Sequence, residues 1–236
     1  MSDELTEYED GLPPLIAIPL RDQVLRRLRS AILAGDIAAG ERISVPDTAR
    51  RLGVSATPIR DALRSLEDEG LVETAPRRWT RVAVPDSKLA VEIYPIIAAL
   101  EEFAIHALAS VDDELLATLE EANRNFRQAG QNGDVAACIR ANDAFHGALL
   151  RATANGTLQR IVSDLKTRVR LLDSEFFRLD TDRSGEEHQN AIEALREDDL
   201  DRAGSIIHEQ WMRNLPMWSE RAATEPKRAS SENDAA

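Results

Sequence analysis

Apolar positions at helical spacing open the chain. Over residues 20–34, Val24, Leu28, Ile32 and Leu33 share one face while Arg21, Arg26, Arg27 and Arg29 take the other, which predicts an amphipathic helix. Ser44 is placed to cap a second helix running to about Leu52, with Pro46 tolerated in its opening turn and Asp47 at its third position to return the bond. Gly53 supplies the permissive backbone a tight exit needs. Ser55 then caps a third helix, in which Ile59, Ala62, Leu63 and Leu66 recur at i, i+3, i+4 and i+7. That stripe leaves Thr57, Arg60, Asp61 and Arg64 on the outer face. Gly70 ends the helix, and residues 71–73 and 81–84 read as two short strands around a turn, 75–80, that carries Arg77, Arg78 and Trp79.

Beyond Pro85 the strand signals stop. Helical patterns follow at roughly 87–109, 112–129, 133–153, 155–178, 183–197 and 199–219, broken at Gly130, Gly133, the turn 154–156 and Gly185. The fold class expected is mainly α: a winged helix-turn-helix domain over residues 15–84 and an all-α six-helix bundle over residues 85–221. Polar tails at 1–14 and 222–236 are expected to be disordered.

Charge sharpens this division. The chain carries a formal −13, which ill suits a molecule that must neutralise phosphates, yet residues 21–82 hold twelve arginines against nine acids, a net +3. The remainder therefore carries −16. A basic head on an acidic body turns the head toward double-stranded DNA and keeps the body off it. No run of about 18 apolar residues offers a membrane span, and the first residues are acidic rather than signal-like, so a cytoplasmic location without membrane contact is expected. Cys138 is the single cysteine, which excludes an intrachain disulfide and a thiolate metal cluster.

The segment LGVSATPIRDALRSLEDEGLV, with VLRRLRSAILAGDIAAGERI upstream, resembles the DNA-binding region of winged-helix bacterial regulators of the GntR family, over roughly residues 20–84. The later helices resemble, in size and order, the FCD effector domain of its FadR-type branch, and six of them would suit the VanR-like subgroup. The resemblance implies contacts to DNA from Arg50, Arg51, Ser55, Thr57, Arg60, Arg64, Arg77, Arg78 and Trp79. Two positions depart from the family's habit: Ala56 stands where an arginine is common, and Trp79 where the wing often turns on glycine.

The bundle carries candidate chemistry of its own. His146, His188 and His208 each fall in an apolar stripe of a different helix, where imidazoles can converge on an ion or serve as hydrogen-bonded core residues. The segment NDAFHGALLRATAN resembles the family's Asp-x-x-x-His metal segment, and EEHQNAIEALREDDLDRAGSIIHEQW the segment with the other two histidines. By that likeness Asn142, His146, His188 and His208 would hold a divalent metal (Zn, Ni or Mn), with Asn142 replacing a charged aspartate. His106, beside Glu102, reads as solvent-facing or interfacial. Arg168 shares a line with Ile161, Leu165 and Leu172, so it is expected to face inward, either to grip an effector carboxylate or to pair with Glu101 or Glu102. Where many relatives carry an effector-binding arginine, this chain has Ile97.

These readings converge on a homodimeric regulator that binds a near-palindromic operator and answers to an organic acid or related metabolite, with metal assistance in the bundle. Two rivals stay open from the sequence: a metal-dependent enzyme built on the three histidines, and a helical interaction module with a DNA-binding head. Against the enzyme, no Ser-His, Cys-His or phosphate-loop constellation occurs.

Overall fold

Gly35, Gly53 and Gly70 all adopt left-handed backbone, with φ of 87°, 67° and 69°, and they divide the head into its parts. In the computed structural model, which describes residues 18–76, 78–177 and 181–224, α1 (Leu20–Ala34) buries Val24, Leu28, Ile32 and Leu33 as the pattern predicts. Arg29 is the exception on its polar face: it is half-buried and paired with Glu69 at the end of the third helix. Helix α2 (Val45–Leu52) opens with Ser44 Oγ accepting from the Asp47 N–H at 3.3 Å. The Asp47 carboxylate is engaged by Arg50. Helix α3 (Ala56–Asp68) buries Ile59, Ala62, Leu63 and Leu66. Ser55 stands at its N-cap with extended backbone but makes no side-chain capping bond, contrary to expectation.

Strands β1 (Val72–Ala75) and β2 (Trp79–Val82) pair antiparallel, Val72 opposite Val82 and Ala75 opposite Trp79. The wing turn is thus tighter than the sequence suggests. Trp79 and Thr80 belong to the strand because cross-strand partners outweigh the loop composition around them. The chain entering α2 extends this sheet, with the Ile43 N–H donating to the Thr80 carbonyl at 2.8 Å.

The body begins with α4 (Ser87–His106), followed by α5 (Asp113–Gln131), α6 (Val135–Ala152), α7 (Gly156–Phe177), α8 (Asp182–Arg196), α9 (Leu200–Met212) and α10 (Leu215–Thr224). Asp86, Asp112, Asp134 and Asp199 cap α4, α5, α6 and α9 through their carboxylates, each accepting a backbone N–H of the first turn, where the helix dipole also favours negative charge. Seven helices therefore stand where six are expected among the described residues. The sixth is cut after Met212 because Pro216 has no N–H for the Met212 carbonyl and its ring would clash with it. The helix count that suited the VanR-like subgroup accordingly does not hold. Helix α10 runs to Thr224 through the start of the expected tail; residues 1–17 and 225–236 lie outside the described residues.

Head and body are not beads on a string. Helix α1 lies against α6 and α7, and the head's buried residues run on into Phe126, Ala129, Val135, Ile139 and Phe177 of the body. At Gly70 an added Cβ would stand 2.9 Å from the Thr167 carbonyl oxygen of α7, whereas at Gly53 it would meet nothing within 4 Å. Both need positive φ, but only Gly70 also needs the space. Gly53→Ala should cost about 1 kcal/mol and Gly70→Ala about 2–3 kcal/mol of unfolding free energy, measured by denaturant titration; equal costs would mean that the contact with Thr167 contributes nothing.

Candidate nucleic-acid interface and ligand cavity

With its apolar stripe buried, α3 turns Thr57, Arg60 and Arg64 to the surface. Arg50, Arg51, Ser55 and Arg78 are exposed as well, and Trp79 is half-buried with the Arg81 guanidinium 4.3 Å from its ring centroid. Arg60, Arg64, Arg78 and Trp79 line one groove of about 480 Å³ between α3 and the wing. The structure thus brings the recognition-helix and wing candidates to a common face; Arg77 lies outside the described residues. Arg81 itself is spoken for by Glu73 at 2.8 Å.

The body is organised around Glu101, a carboxylate only 2% exposed. Its Oε2 accepts from Trp211 Nε1–H at 2.7 Å and lies 2.7 Å from His146 Nδ1. That second approach is close enough for an ion pair but is not aimed along the ring, so Nδ1 makes no directed hydrogen bond. Lys166 Nζ sits 4.0 Å from Glu101 Oε1 and 3.3 Å from Asp143 Oδ1, and Asp143 in turn binds Arg170 at 2.8 Å. Burial favours the neutral acid at Glu101, yet His146, Lys166 and Trp211 outweigh it and hold the pKa below the usual glutamate value. For Asp143 too, Lys166 and Arg170 overcome burial and lower the pKa.

Next to this network is a cavity of about 30 Å³, lined by Tyr94, Asn142, His146, Asp173, Gln210 and Trp211 with Phe176 and Phe177 at one end. That volume has room for a water molecule and little more. Tyr94 O–H donates to Asp173 Oδ1 at 2.8 Å, while burial pushes the Asp173 carboxyl up to about 6. His188 is fully buried, stacked on Phe145 with ring centroids 4.0 Å apart and 5.3 Å from the His146 ring. Neither of its ring nitrogens has a hydrogen-bond partner among the described residues. Burial, with the charges of His146, Lys166 and Arg213, drives its pKa well below the ordinary histidine value, so His188 is neutral.

The expected metal set does not assemble. Asn142, His146 and His188 come together, but His208 Nδ1 pairs with Glu102 at 2.7 Å on a partly exposed flank. The inward line of α9 is Ala203, Ile207 and Trp211, and His208 lies one residue, or about 100°, off it. Gln210 occupies the cavity wall in its stead. With His208 elsewhere, the donors left at the cavity are Asn142 and His146, with the His188 ring beside them and the Asp173 carboxyl in the same wall, and no group of three or more His, Cys, Asp or Glu suited to a metal occurs among the described residues.

Arg168 is also corrected: it is exposed, because α7 buries Leu158, Val162, Lys166, Val169 and Leu172 and leaves Ile161 46% exposed. The internal cation is Lys166, and Glu101, one of the two acids expected to answer it, does so. Sequence reasoning missed Lys166, although it lies four residues after Val162 and three before Val169 on the buried line. Ile97 is fully buried in the core. His106 is surface-facing, with Nε2 3.2 Å from Asp201, and Cys138 is buried, its thiol pushed up to about 11 chiefly by burial.

A recognition helix that exposes Arg60 and Arg64 beside a wing, carried on a helical body with a small cavity among its helices, defines a DNA-binding regulator of two parts. The gntR family of bacterial regulatory proteins matches residues 20–82 and the FCD domain matches residues 92–211, and the chain belongs to this family. It is 33% identical over 156 residues to the HTH-type transcriptional regulator YdhC of Bacillus subtilis, spanning 64% of this chain and 70% of that protein. It is 28% identical over 202 residues, 85% of this chain and 88% of the relative, to a protein of Paenarthrobacter nicotinovorans named for repression of a D-xylose utilization operon. The fold is similar to that of Escherichia coli McbR/YncC, with a TM-score of 0.65 at 24% identity, covering 87% of this chain and 99% of that one. A putative GntR regulator from Rhodococcus gives a TM-score of 0.68 at 21% identity, over 85% and 97%. The protein is thus a transcriptional regulator of the GntR type with an FCD domain, not an enzyme. Among the described residues no helix is long and apolar enough to cross a membrane.

The neutral His188 yields a pH prediction. Its folded pKa lies below its unfolded one, so the unfolded chain gains a proton first as pH falls through about 6.5, and stability declines from there downward. His188→Phe, flanked by Phe126 and Phe145, should keep the fold and remove up to about 1.4 kcal/mol per pH unit of that decline. Urea titrations of both proteins from pH 7 to 5 measure it; parallel profiles would mean that His188 does not titrate on unfolding.

Proposed function

We propose that this regulator binds a near-palindromic operator as a homodimer in the cytoplasm and that an organic acid or related metabolite entering the bundle changes its affinity for DNA. The observation that carries the DNA half is the groove in which Arg60 and Arg64 of α3 face Arg78 and Trp79 of the wing, all able to reach base edges or phosphates together. A second copy is favoured by the apolar residues exposed on two helices packed side by side: Ile96 and Phe103 on α4, at 49% and 55%, and Ile161 on α7.

The effector half rests on the cavity between α4, α6, α7 and α9. At about 30 Å³ it admits no metabolite without moving its walls, and those walls include Phe176 and Phe177. Phe177 packs edge-on to Phe126 at 5.4 Å, and both belong to the core shared with the head. A second connection is polar. Glu101, Lys166, Asp143 and Arg170 form a chain whose outer end feels Glu69, the residue that holds Arg29 of α1. A ligand that parts these walls has different contacts in two states, which is the condition for shifting a population. Asn142, Gln210 and the carboxyl of Asp173 would receive it directly, without a metal.

Two measurements test this reading. In gel retardation with the promoter of its own gene, Arg60→Ala should weaken binding by roughly tenfold or more, equivalent to about 1–3 kcal/mol; unaltered affinity would remove α3 from the groove. In sedimentation, Phe103→Glu should dissociate the dimer while the circular dichroism stays helical, and a variant that remains dimeric would move the interface elsewhere.

A further inference from the structure

Beside the cavity, about 100° round α6, α6 and α7 line an open groove of about 450 Å³. Four cations converge on it, Arg151 from the last turn of α6 and Arg160, Lys166 and Arg170 from α7, against a single acid, Asp143. This is against the grain of the body, where residues 87–224 contain twenty-four acids and fifteen bases. Asp143 is already shared between Lys166 at 3.3 Å and Arg170 at 2.8 Å. Arg151 and Arg160 have no carboxylate within ion-pair distance among the described residues, and Arg160 reaches only the Thr157 hydroxyl, at 3.3 Å. Gly147 lets the Arg151 guanidinium lie close over α6, since a Cβ there would stand 2.9 Å from Nη1 and displace it. Leu150 and Val162 give the groove an apolar part, and its volume lies within the usual range for small-molecule sites.

We propose that this groove is a binding site for a small phosphorylated metabolite, separate from the cavity at His146. Forked guanidiniums from two helices suit the several oxygens of a phosphate, and the buried Lys166 adds a point charge at the inner end. Asp143 competes with the ligand for Lys166 and Arg170. Because Lys166 also faces Glu101 at 4.0 Å, an anion drawn into the groove competes with that carboxylate for the ammonium.

Pyrophosphate is the probe, added to the full-length protein at constant ionic strength with sodium chloride as control and malonate as a comparison anion. Pyrophosphate should raise the thermal midpoint of the wild type, and Arg151→Ala/Arg160→Ala should weaken the apparent Kd at least tenfold while its unliganded circular dichroism and operator binding stay as in the wild type. Asp143→Asn should tighten binding severalfold, because it removes the competing carboxylate. An equal midpoint rise in the double variant would overturn the site, and a rise with malonate but none with pyrophosphate would overturn the phosphate class. Operator binding by the unliganded double variant is read separately, so failure here leaves the DNA-binding reading standing.

Discussion

A carboxylate sealed among helices must be compensated or it unfolds its surroundings, and in this body Glu101 is that carboxylate. It draws Trp211 from α9, His146 from α6 and Lys166 from α7 onto α4, so one buried charge fixes the mutual positions of four helices. The compensation is incomplete: among the described residues, Glu101 Oε1 lacks a directed hydrogen bond, as does His146 Nδ1. A network held together by charge yet partly unsatisfied differs from an apolar core in having more than one affordable arrangement. That property suits a sensor.

The head follows a different economy. Its fold rests on apolar stripes and four left-handed glycines, Gly35, Gly40, Gly53 and Gly70, which frees nearly all of its arginines for the surface, and the acidic body keeps the net field directed. Arg29 is the instructive exception. By pairing with Glu69 it ties the first helix of the head to the end of α3, beside the place where Gly70 approaches Thr167 of the body. The recognition helix is therefore anchored at the end remote from its DNA-facing first turns.

How much of this the sequence disclosed depends on the kind of signal. The four buried residues of α1 and the four of α3 follow from spacing alone, because an amphipathic helix has one way to hide a stripe. Trp79 was harder: its flanking residues look like a turn, and only the partner strand shows that it pairs with Ala75. In the bundle, helices are buried on wide faces, so the register becomes ambiguous by one residue. Arg168 and His208 each stand one residue from a buried position, Val169 and Ile207, so such a slip turns them inward, although Lys166 and Gln210 are the polar residues that the structure places inside. The resemblance to a metal-binding domain reinforced the second error, since it matched residue types without fixing which side of α9 they occupy. Glu101 itself was named as an internal acid, but its partners arrive from three other helices and leave no local trace.

On the function proposed above, the polar network of the body is coupled to the affinity of the head for DNA. Glu101→Gln tests this coupling most directly, since the substitution keeps size and removes only the charge at a buried site on α4, outside α3 and the wing. Operator affinity, measured by fluorescence anisotropy on protein whose helical content and dimerisation match the wild type, should change by about fivefold or more, the lower range of allosteric coupling energies. An affinity identical to that of the wild type would contradict the account, leaving head and body as neighbours that do not communicate.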